Sequence, residues 1–561
     1  MQIIPLGEQA LLVNFEQRID PEVNRQVIAL HHRLMGLANA AIVSSTPAFC
    51  SLAIGYDPSE ISYDDLVAVV EQQFGLIQTV ADQARPVLRI PVCYSDSCGV
   101  DLDYVAQTTG LSRQQIIDLH TGKTYHAYML GFLPGFAYLG SVDPSLRVER
   151  QSEPRLKVEA GSVGLAGEQT GIYPSTAPGG WQIIGRTPIS LIGDTNSSQF
   201  LISPGDQVQF YPIEQAEFDL LLEQNKADDQ PIKKNIDSQN RDSISLHFKT
   251  SGLRTTIQDF GRQGHQHYGI PSGGVMDRFS AYCANIAVGN RGDASLIEIT
   301  LMGPVIEFSG DCQIAITGAN LIPKLDGEPI PTWEPITVSG GQQLSFGSRQ
   351  NGCRSYLAIA GEIRAPKWLD SVSPSPAGVN PATDQRSLNG ETIIVSAWTR
   401  SNPQSKQPAK IFAASKLRPP QAGRPPCLIG QASGAFKMRV PIVRGPEWDW
   451  FSEAQRTAFT TQPFQVLSNS NSMGYRLSSF VEGSSDVLGE PTEQQQSMIS
   501  SAVVPGVIQV TPNGQAILLM RDAQTTGGYP RIGVVCFESL DEVAQLCPGD
   551  LVHFELSEAG V

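Results

Sequence analysis

Two octapeptides far apart in the chain repeat one pattern, and that repetition constrains the fold more than any single motif. Ser203-Pro204-Gly205-Asp206-Gln207-Val208-Gln209-Phe210 is matched by Cys547-Pro548-Gly549-Asp550-Leu551-Val552-His553-Phe554. Each lies after a Gly-Gly-aromatic turn, Gly179-Gly180-Trp181 or Gly527-Gly528-Tyr529, and each turn follows a Gln-Thr pair, Gln169-Thr170 or Gln524-Thr525. Three matches in one order predict that both halves end in the same β module. Its last piece is a Gly-Asp tight turn leading into an edge-to-core strand whose Val and Phe face inward. Two such modules can build a site at the seam between them.

A length of 561 residues is too great for one core and predicts about three or four units. The 52 glycines and 39 prolines, with only 17% charged residues, favour β structure with many turns. A net charge of −16 argues against nucleic-acid and anionic-membrane partners, which require a basic surface. The start, Met1 to Gly7, has no basic region followed by an apolar core, and no run of about 18 apolar residues occurs, so a cytoplasmic protein is expected. Of nine cysteines only Cys93 and Cys98 lie close together, which indicates reduced thiols rather than a disulfide framework or zinc knuckle.

Along the chain, residues 1–85 read as a small α+β unit. It has strands at Ala10–Phe15 and Phe49–Tyr56 and helices at Pro21–Leu37 and, after Ser62, Tyr63–Phe74. Residues 86–214 form a β-rich unit with an opening strand at Arg85–Val92, short helices at Asp101–Thr109 and Ser112–Leu119, and turns at Gly161, Gly164, Gly167 and Gly171. Residues 215–242, helical at first and then polar, read as a linker. A second unit spans 243–400, with a helix at Arg278–Val288 and strands at Glu298–Phe308, Cys312–Thr317, Gln343–Phe346 and Ser355–Ala360. Residues 401–426 read as a loop or linker, and 427–561 as a further β unit.

Three glycine- and proline-shaped stretches carry the candidate chemistry. Leu130–Gly140 combines Phe132, Pro134, Gly135 and Phe136 into a shaped loop that suits either a pocket wall or an aromatic plug for a barrel end. Thr176–Trp181 holds Gly179, Gly180 and Trp181, and Gly269–Asp277 holds Gly274 and Met276. Beside such turns stand Arg186, Gln258, Asp259, Arg262, Asp277, Arg476, Asp522 and Thr525. The arginines can clamp a carboxylate or phosphate, and the carboxylates can hold a metal-nucleotide or act as a base. Other signals fail. Gly122-Lys123-Thr124 lacks the upstream glycine and leading strand of a P-loop. His265 and His267 would share one face of a strand, but no third ligand completes a metal spacing. Lys437-Met438 follows Phe436 where a biotin-attachment sequence needs methionine, so an ordinary strand is expected. Neither a nucleophile elbow nor a dinucleotide fingerprint occurs.

His126–Gly140, Gly161–Pro174 and Pro178–Pro188 resemble the KipI family, the B component of bacterial 5-oxoprolinase. Gln258–Arg262, Gly269–Asp277, Ala284–Asn290, Glu298–Pro304, Met473–Leu477 and Ile508–Pro548 resemble the KipA family, its C component. The resemblance covers nearly the whole chain and implies a natural fusion of the two. It implies a mainly β protein with α+β subdomains: two tandem cyclophilin-like β-barrel modules, each with an additional subdomain, related to the carboxyltransferase domain of biotin-dependent urea carboxylase. The implied activity is ATP-dependent hydrolysis of 5-oxoproline to glutamate, with ATP and Mg²⁺ as cofactors and a separate A subunit of the LamB/YcsF type as partner. No biotin is expected on this chain, and a homo-oligomer is compatible. For that chemistry Arg186, Arg262 and Arg476 are the candidate anion clamps, and Asp277 and Asp522 the candidate Mg²⁺ ligands or bases, with Asp277, Asp522, Arg262 and Arg476 assigned as catalytic. Phe132, Pro134, Gly135, Phe136, Gly179, Gly180, Trp181, Arg186, Gln258, Asp259, Gly274, Met276, Thr525, Gly527, Gly528 and Tyr529 are the candidates for binding substrate or nucleotide. Alternatives are a carboxyltransferase component of a urea carboxylase or amidolyase system, and a non-catalytic histidine-kinase inhibitor. The chain departs from the family pattern at Asp370-Ser371-Val372-Ser373-Pro374, at Gly378 to Leu388, and at Asn471-Ser472.

Overall fold

The computed structural model describes residues 1–77, 86–193, 200–228, 243–376, 379, 388–396, 437–480, 488 and 498–557. In the N-terminal unit Asp20 caps the helix Pro21–Gly36, its Oδ1 accepting from Glu22 N at 2.8 Å. Val23, Val27, Leu30 and Leu34 recur at helical spacing and are all buried. They pack on a four-stranded sheet ordered Gln2–Pro5, Ala10–Asn14, Ser51–Tyr56, Ile42–Pro47. Ser62 caps the second helix, Tyr63–Gly75, as expected. The other face of the sheet turns toward the far end of the chain: Leu6, Leu12 and Ala53 share one core with Val503, Leu519 and Val534.

Two closed seven-stranded barrels follow, at 87–213 and 437–556. With the strands of each counted along the chain, the circular order is first, sixth, fourth, fifth, third, second, seventh in both. In both, the first and seventh strands pair in parallel, Val87–Cys93 with Gln207–Ile213 and Lys437–Ile442 with Leu551–Leu556. The repeated octapeptides lead into those seventh strands. Asp206 Oδ2 accepts from Ser203 N and Asp550 Oδ2 from Cys547 N, each at 2.8 Å, so the aspartate side chain closes the turn in both copies. Val208, Phe210, Val552 and Phe554 are buried in the barrel cores. The strand is not an edge strand, because closure gives it a neighbour on each side.

Gly164 and Gly171 correct another expectation. They are not turns but face each other in adjacent strands, Ser162–Ala166 and Gln169–Ile172. A Cβ on Gly171 would come within 3.0 Å of the Trp181 ring and 3.1 Å of Phe136, so the missing side chains make room for aromatic rings.

Residues 243–396 form a sandwich of a seven-stranded and a five-stranded sheet, with Leu246, Phe248, Ile306 and Phe308 from one packed against Ile257, Ile297, Ile316 and Leu357 from the other. The helix Arg278–Ala287 covers the outer face of the five-stranded sheet through Ala281 and Ala284. The single strand expected at Glu298–Phe308 is two, Leu296–Thr300 and Val305–Phe308, in different sheets. Leu301 between them has φ 61°, and Pro304 has no N–H to continue a ladder. Of the expected linker, Gln215–Asp228 is a helix whose Phe218 packs on Cys93, Cys98 and Ile213, while 229–242 lie outside the described residues, as do 401–426. Lys437 opens an ordinary strand, Lys437–Arg444. No helix among the described residues is long and apolar enough to cross a membrane.

Candidate functional site

Two of the three stretches singled out for their glycines, Leu130–Gly140 and Gly269–Asp277, meet at the seam between the halves. Gly131, which follows the second strand of the first barrel, abuts the side chain of Thr526, in the two-stranded sheet Ser501–Ala502 and Thr526–Gly527 of the second half, so closely that a Cβ there would overlap Oγ1. Gly269, at φ 76°, sits over the same glycine, where a Cβ would be 3.0 Å from Gly131 Cα. Backbone hydrogen bonds join the loops: Gly135 N donates to Tyr268 O at 2.8 Å, and Gly273 N to Arg521 O at 3.0 Å. Three segments that are distant in sequence thus become a single continuous surface.

Asp259 and Arg262 act together on this surface. Asp259 accepts from Gly261 N, Ser371 Oγ, Val372 N and Ser373 Oγ at 2.6–2.9 Å. Arg262 donates to Trp368 O at 3.1 Å, Pro374 O at 3.3 Å and Ser373 O, and its guanidinium lies over the Trp368 ring at 4.9 Å. Both side chains therefore hold the segment 368–374, where the chain departs from the family pattern. Burial pushes Arg262 down to about 10.

Asp277 caps the helix Arg278–Ala287, accepting from Ser280 N at 2.8 Å, Ser280 Oγ at 2.6 Å and Gln545 Nε2 at 2.7 Å. Burial and the Asp541 charge raise its carboxyl to about 7. Behind it, Tyr356 OH donates to Glu298 Oε2 and accepts from Asp277 N, and Met276 N donates to the same glutamate oxygen. Asp522 is raised by burial and held by Ser472, whose carbonyl accepts from Asp522 N at 2.9 Å. The other sequence candidates are spread more widely. Arg186 donates to Ala160 O at 2.8 Å and lies over Phe218, on the first barrel. Arg476 is exposed on the strand Gly474–Ser479 and touches Gln515 at 3.5 Å. Gln258 is buried, with Oε1 lacking a hydrogen-bond partner. Gly274 crosses the backbone of Asp259–Gly261, and Met276 enters the core of the second barrel. Phe136 and Trp181 are buried against Tyr173, with the Tyr173 and Trp181 ring centroids 5.1 and 5.3 Å from that of Phe136, while Phe132 stays exposed at their edge. Gly179 lies against the Tyr173 hydroxyl, Gly180 near Pro154, and Gly527-Gly528-Tyr529 run beside Gln509 and Ser500. His265 precedes and His267 lies within a 3₁₀ turn, Gln266–Tyr268, not a strand, and the His267 ring packs 5.2 Å from His31.

A cleft of about 190 Å³ opens where the N-terminal sheet, the 263–278 segment and the second barrel meet, with Gln9, Tyr56, Gln266, Arg278, Arg521 and Thr525 in its walls. Arg278 and Arg521 are each only 6% exposed. Burial and their mutual repulsion push Arg278 down to about 9, and burial lowers Arg521. Neither arginine is among the sequence candidates, although each is the immediate neighbour of a candidate aspartate, Asp277 or Asp522. The usable signal is the pair, an arginine adjoining an acid at both loops.

A double barrel with its loops pooled at one seam defines a class of protein rather than a single activity. Residues 1–202 match the carboxyltransferase domain, subdomain C and D, and 268–556 match the carboxyltransferase domain, subdomain A and B. The chain belongs to the carboxyltransferase-domain family. Within it, the second half is similar to the C subunit of 5-oxoprolinase from Escherichia coli K12, at 32% identity over 305 residues, 54% of this chain and 88% of that protein. The first half is similar to the B subunit of 5-oxoprolinase from Bacillus subtilis 168, at 36% identity over 234 residues, 40% of this chain and 98% of that protein. The crystal structure of TTHA0988 aligns with both halves at once, with a TM-score of 0.78 and 29% identity, covering 97% of this chain and 99% of that one.

Proposed function

We propose that this chain supplies the joined B and C components of an ATP-dependent 5-oxoprolinase, which hydrolyses 5-oxo-L-proline to L-glutamate together with a separate A subunit. The observation that carries the reading is the double similarity, to the B component in one half and the C component in the other, in a chain whose halves meet at one seam. A five-membered lactam is a poor electrophile, and ATP supplies the phosphoryl group that activates its oxygen. The cleft does not fit a nucleoside triphosphate with Mg²⁺. Its volume of about 190 Å³ is below the ~300–1,000 Å³ of typical ligand pockets. No step at this cleft is therefore routed through the nucleotide, and the work left to the cleft residues is to hold and orient the organic acid. Glutamate and ADP formation from 5-oxoproline and ATP, with and without the A subunit, tests the proposal. Turnover only in the mixture supports it, and none in a well-folded mixture rejects it. The family match also favours a second reading, carboxyl transfer, which requires turnover that depends on carboxybiotin carried by another protein.

A further inference from the structure

We propose that the seam cleft is a binding site for a small oxyanion, gripped by Arg278 and Arg521 with the Thr525 hydroxyl beside them. The reasoning rests on charge and on hydrogen-bond satisfaction. Two guanidinium groups are buried here beside Asp541, which already accepts from Arg278 N at 3.0 Å and Phe279 N at 3.2 Å, while the other carboxyl whose charge reaches Arg521, Asp277, is raised toward its neutral form by burial. Arg521 Nη2 lies 3.5 Å from Asp541 Oδ1, close enough for an ion pair but without a hydrogen bond. Arg278 Nη2 reaches Phe260 O at 3.4 Å, and its Nε has no hydrogen-bond partner. Thr525, 4% exposed, leaves Oγ1 unpartnered in the same wall. Buried donors left unmade are costly, charged ones most of all, and a forked guanidinium matches the two oxygens of a carboxylate.

The rest of the lining narrows the ligand. Glu8 and Asp57 also line the cleft, Glu8 accepting from Phe537 N at 2.7 Å and Asp57 from Ser59 N at 2.9 Å. Their negative charges oppose a polyanion and tolerate one anionic head directed at the arginines. A volume of about 190 Å³ admits a compact organic acid. The choice of 5-oxoproline as that acid rests on the proposed function; the oxyanion site itself does not, and inorganic phosphate shares the chemistry.

Calorimetric titration of the full chain with 5-oxo-L-proline, and separately with inorganic phosphate, tests the site. Arg278→Gln and Arg521→Gln are each expected to weaken binding about tenfold or more, and Thr525→Val about threefold to tenfold. Thr525→Val is nearly isosteric and decides the question if an arginine variant fails to fold. Binding of 5-oxoproline that Thr525→Val weakens supports an organic-acid site even if no turnover appears with the A subunit. Binding of phosphate alone supports the oxyanion site and assigns it to phosphate. If wild type binds neither, or if binding is unchanged in Thr525→Val and the arginine variants, the proposal is overturned.

Discussion

Gly131 of the first half and Thr526 of the second are in direct contact: a methyl group on the glycine would overlap the threonine hydroxyl and lie 3.2 Å from its Cβ. Gly131 has no positive φ, so the requirement for glycine is steric. Gly131→Ala is expected to cost about 1–3 kcal/mol by overpacking. Thr526→Ala in the same chain should recover most of that. A double-mutant cycle by urea denaturation checks it, and simple additivity of the two changes would show that the contact does not carry the effect.

Arg262 and Asp259 both hold the 368–374 segment, the arginine through the segment's carbonyls and the aspartate through Val372 N and the Ser371 and Ser373 hydroxyls. Arg262→Gln leaves backbone carbonyls without their charged donor, and a loss of about 3 kcal/mol is expected. Hydrogen exchange should quicken at 368–374 before it does elsewhere. Uniform exchange throughout the chain would count against this role.

Much of the fold is legible because it depends on local chemistry. The Pro-Gly-Asp turns announce the duplication since the aspartate must be there to accept from the residue three before it. The caps at Ser62 and Ser112 are legible for the same reason. Strand Ile42–Pro47 escapes notice because Ser44, Ser45 and Thr46 blur its alternation, and only the neighbouring strand makes it one. The site is less legible. Arg262 looks like an anion clamp, yet its partners are carbonyls on a distant stretch of chain. Arg278 and Arg521 adjoin candidate acids in the sequence, but their shared burial in one cleft shows only when separate segments come together.

Arg531 and Glu447 form a buried two-pronged ion pair, with Nε to Oε2 at 2.7 Å and Nη2 to Oε1 at 2.6 Å. The remaining Nη1 donates to Ser501 Oγ and Ala502 O, fixing the short strand that pairs with Thr526–Gly527. Glu447→Gln strands the arginine charge, and a loss of about 3–5 kcal/mol is expected. Guanidinium denaturation measures it, and a change below about 1 kcal/mol, the scale of an exposed pair, would contradict the assignment.

Asp277 gives a pH signature. Its carboxyl rises from 3.8 to about 7, so the folded chain keeps this proton to higher pH than the unfolded chain. Its contribution is complete below about pH 4 and is lost as pH rises through about 7. His120 has the opposite sign: burial lowers it to about 3, and its contribution is lost as pH falls below 6.5. Asp277→Asn removes only the first of these. The stability of this variant relative to wild type should therefore climb between about pH 4 and 7 and level off above. A flat difference in denaturation midpoints across that window would show that Asp277 does not hold the proton.

The core shared by Leu6, Leu12 and Ala53 with Val503, Leu519 and Val534 means that neither half is finished alone. Split into two polypeptides, each would present an apolar face to water until it found the other. Joining them in one chain fixes their stoichiometry at one to one. It also turns that encounter into an intramolecular event, at an effective concentration on the order of millimolar, independent of how much protein the cell makes.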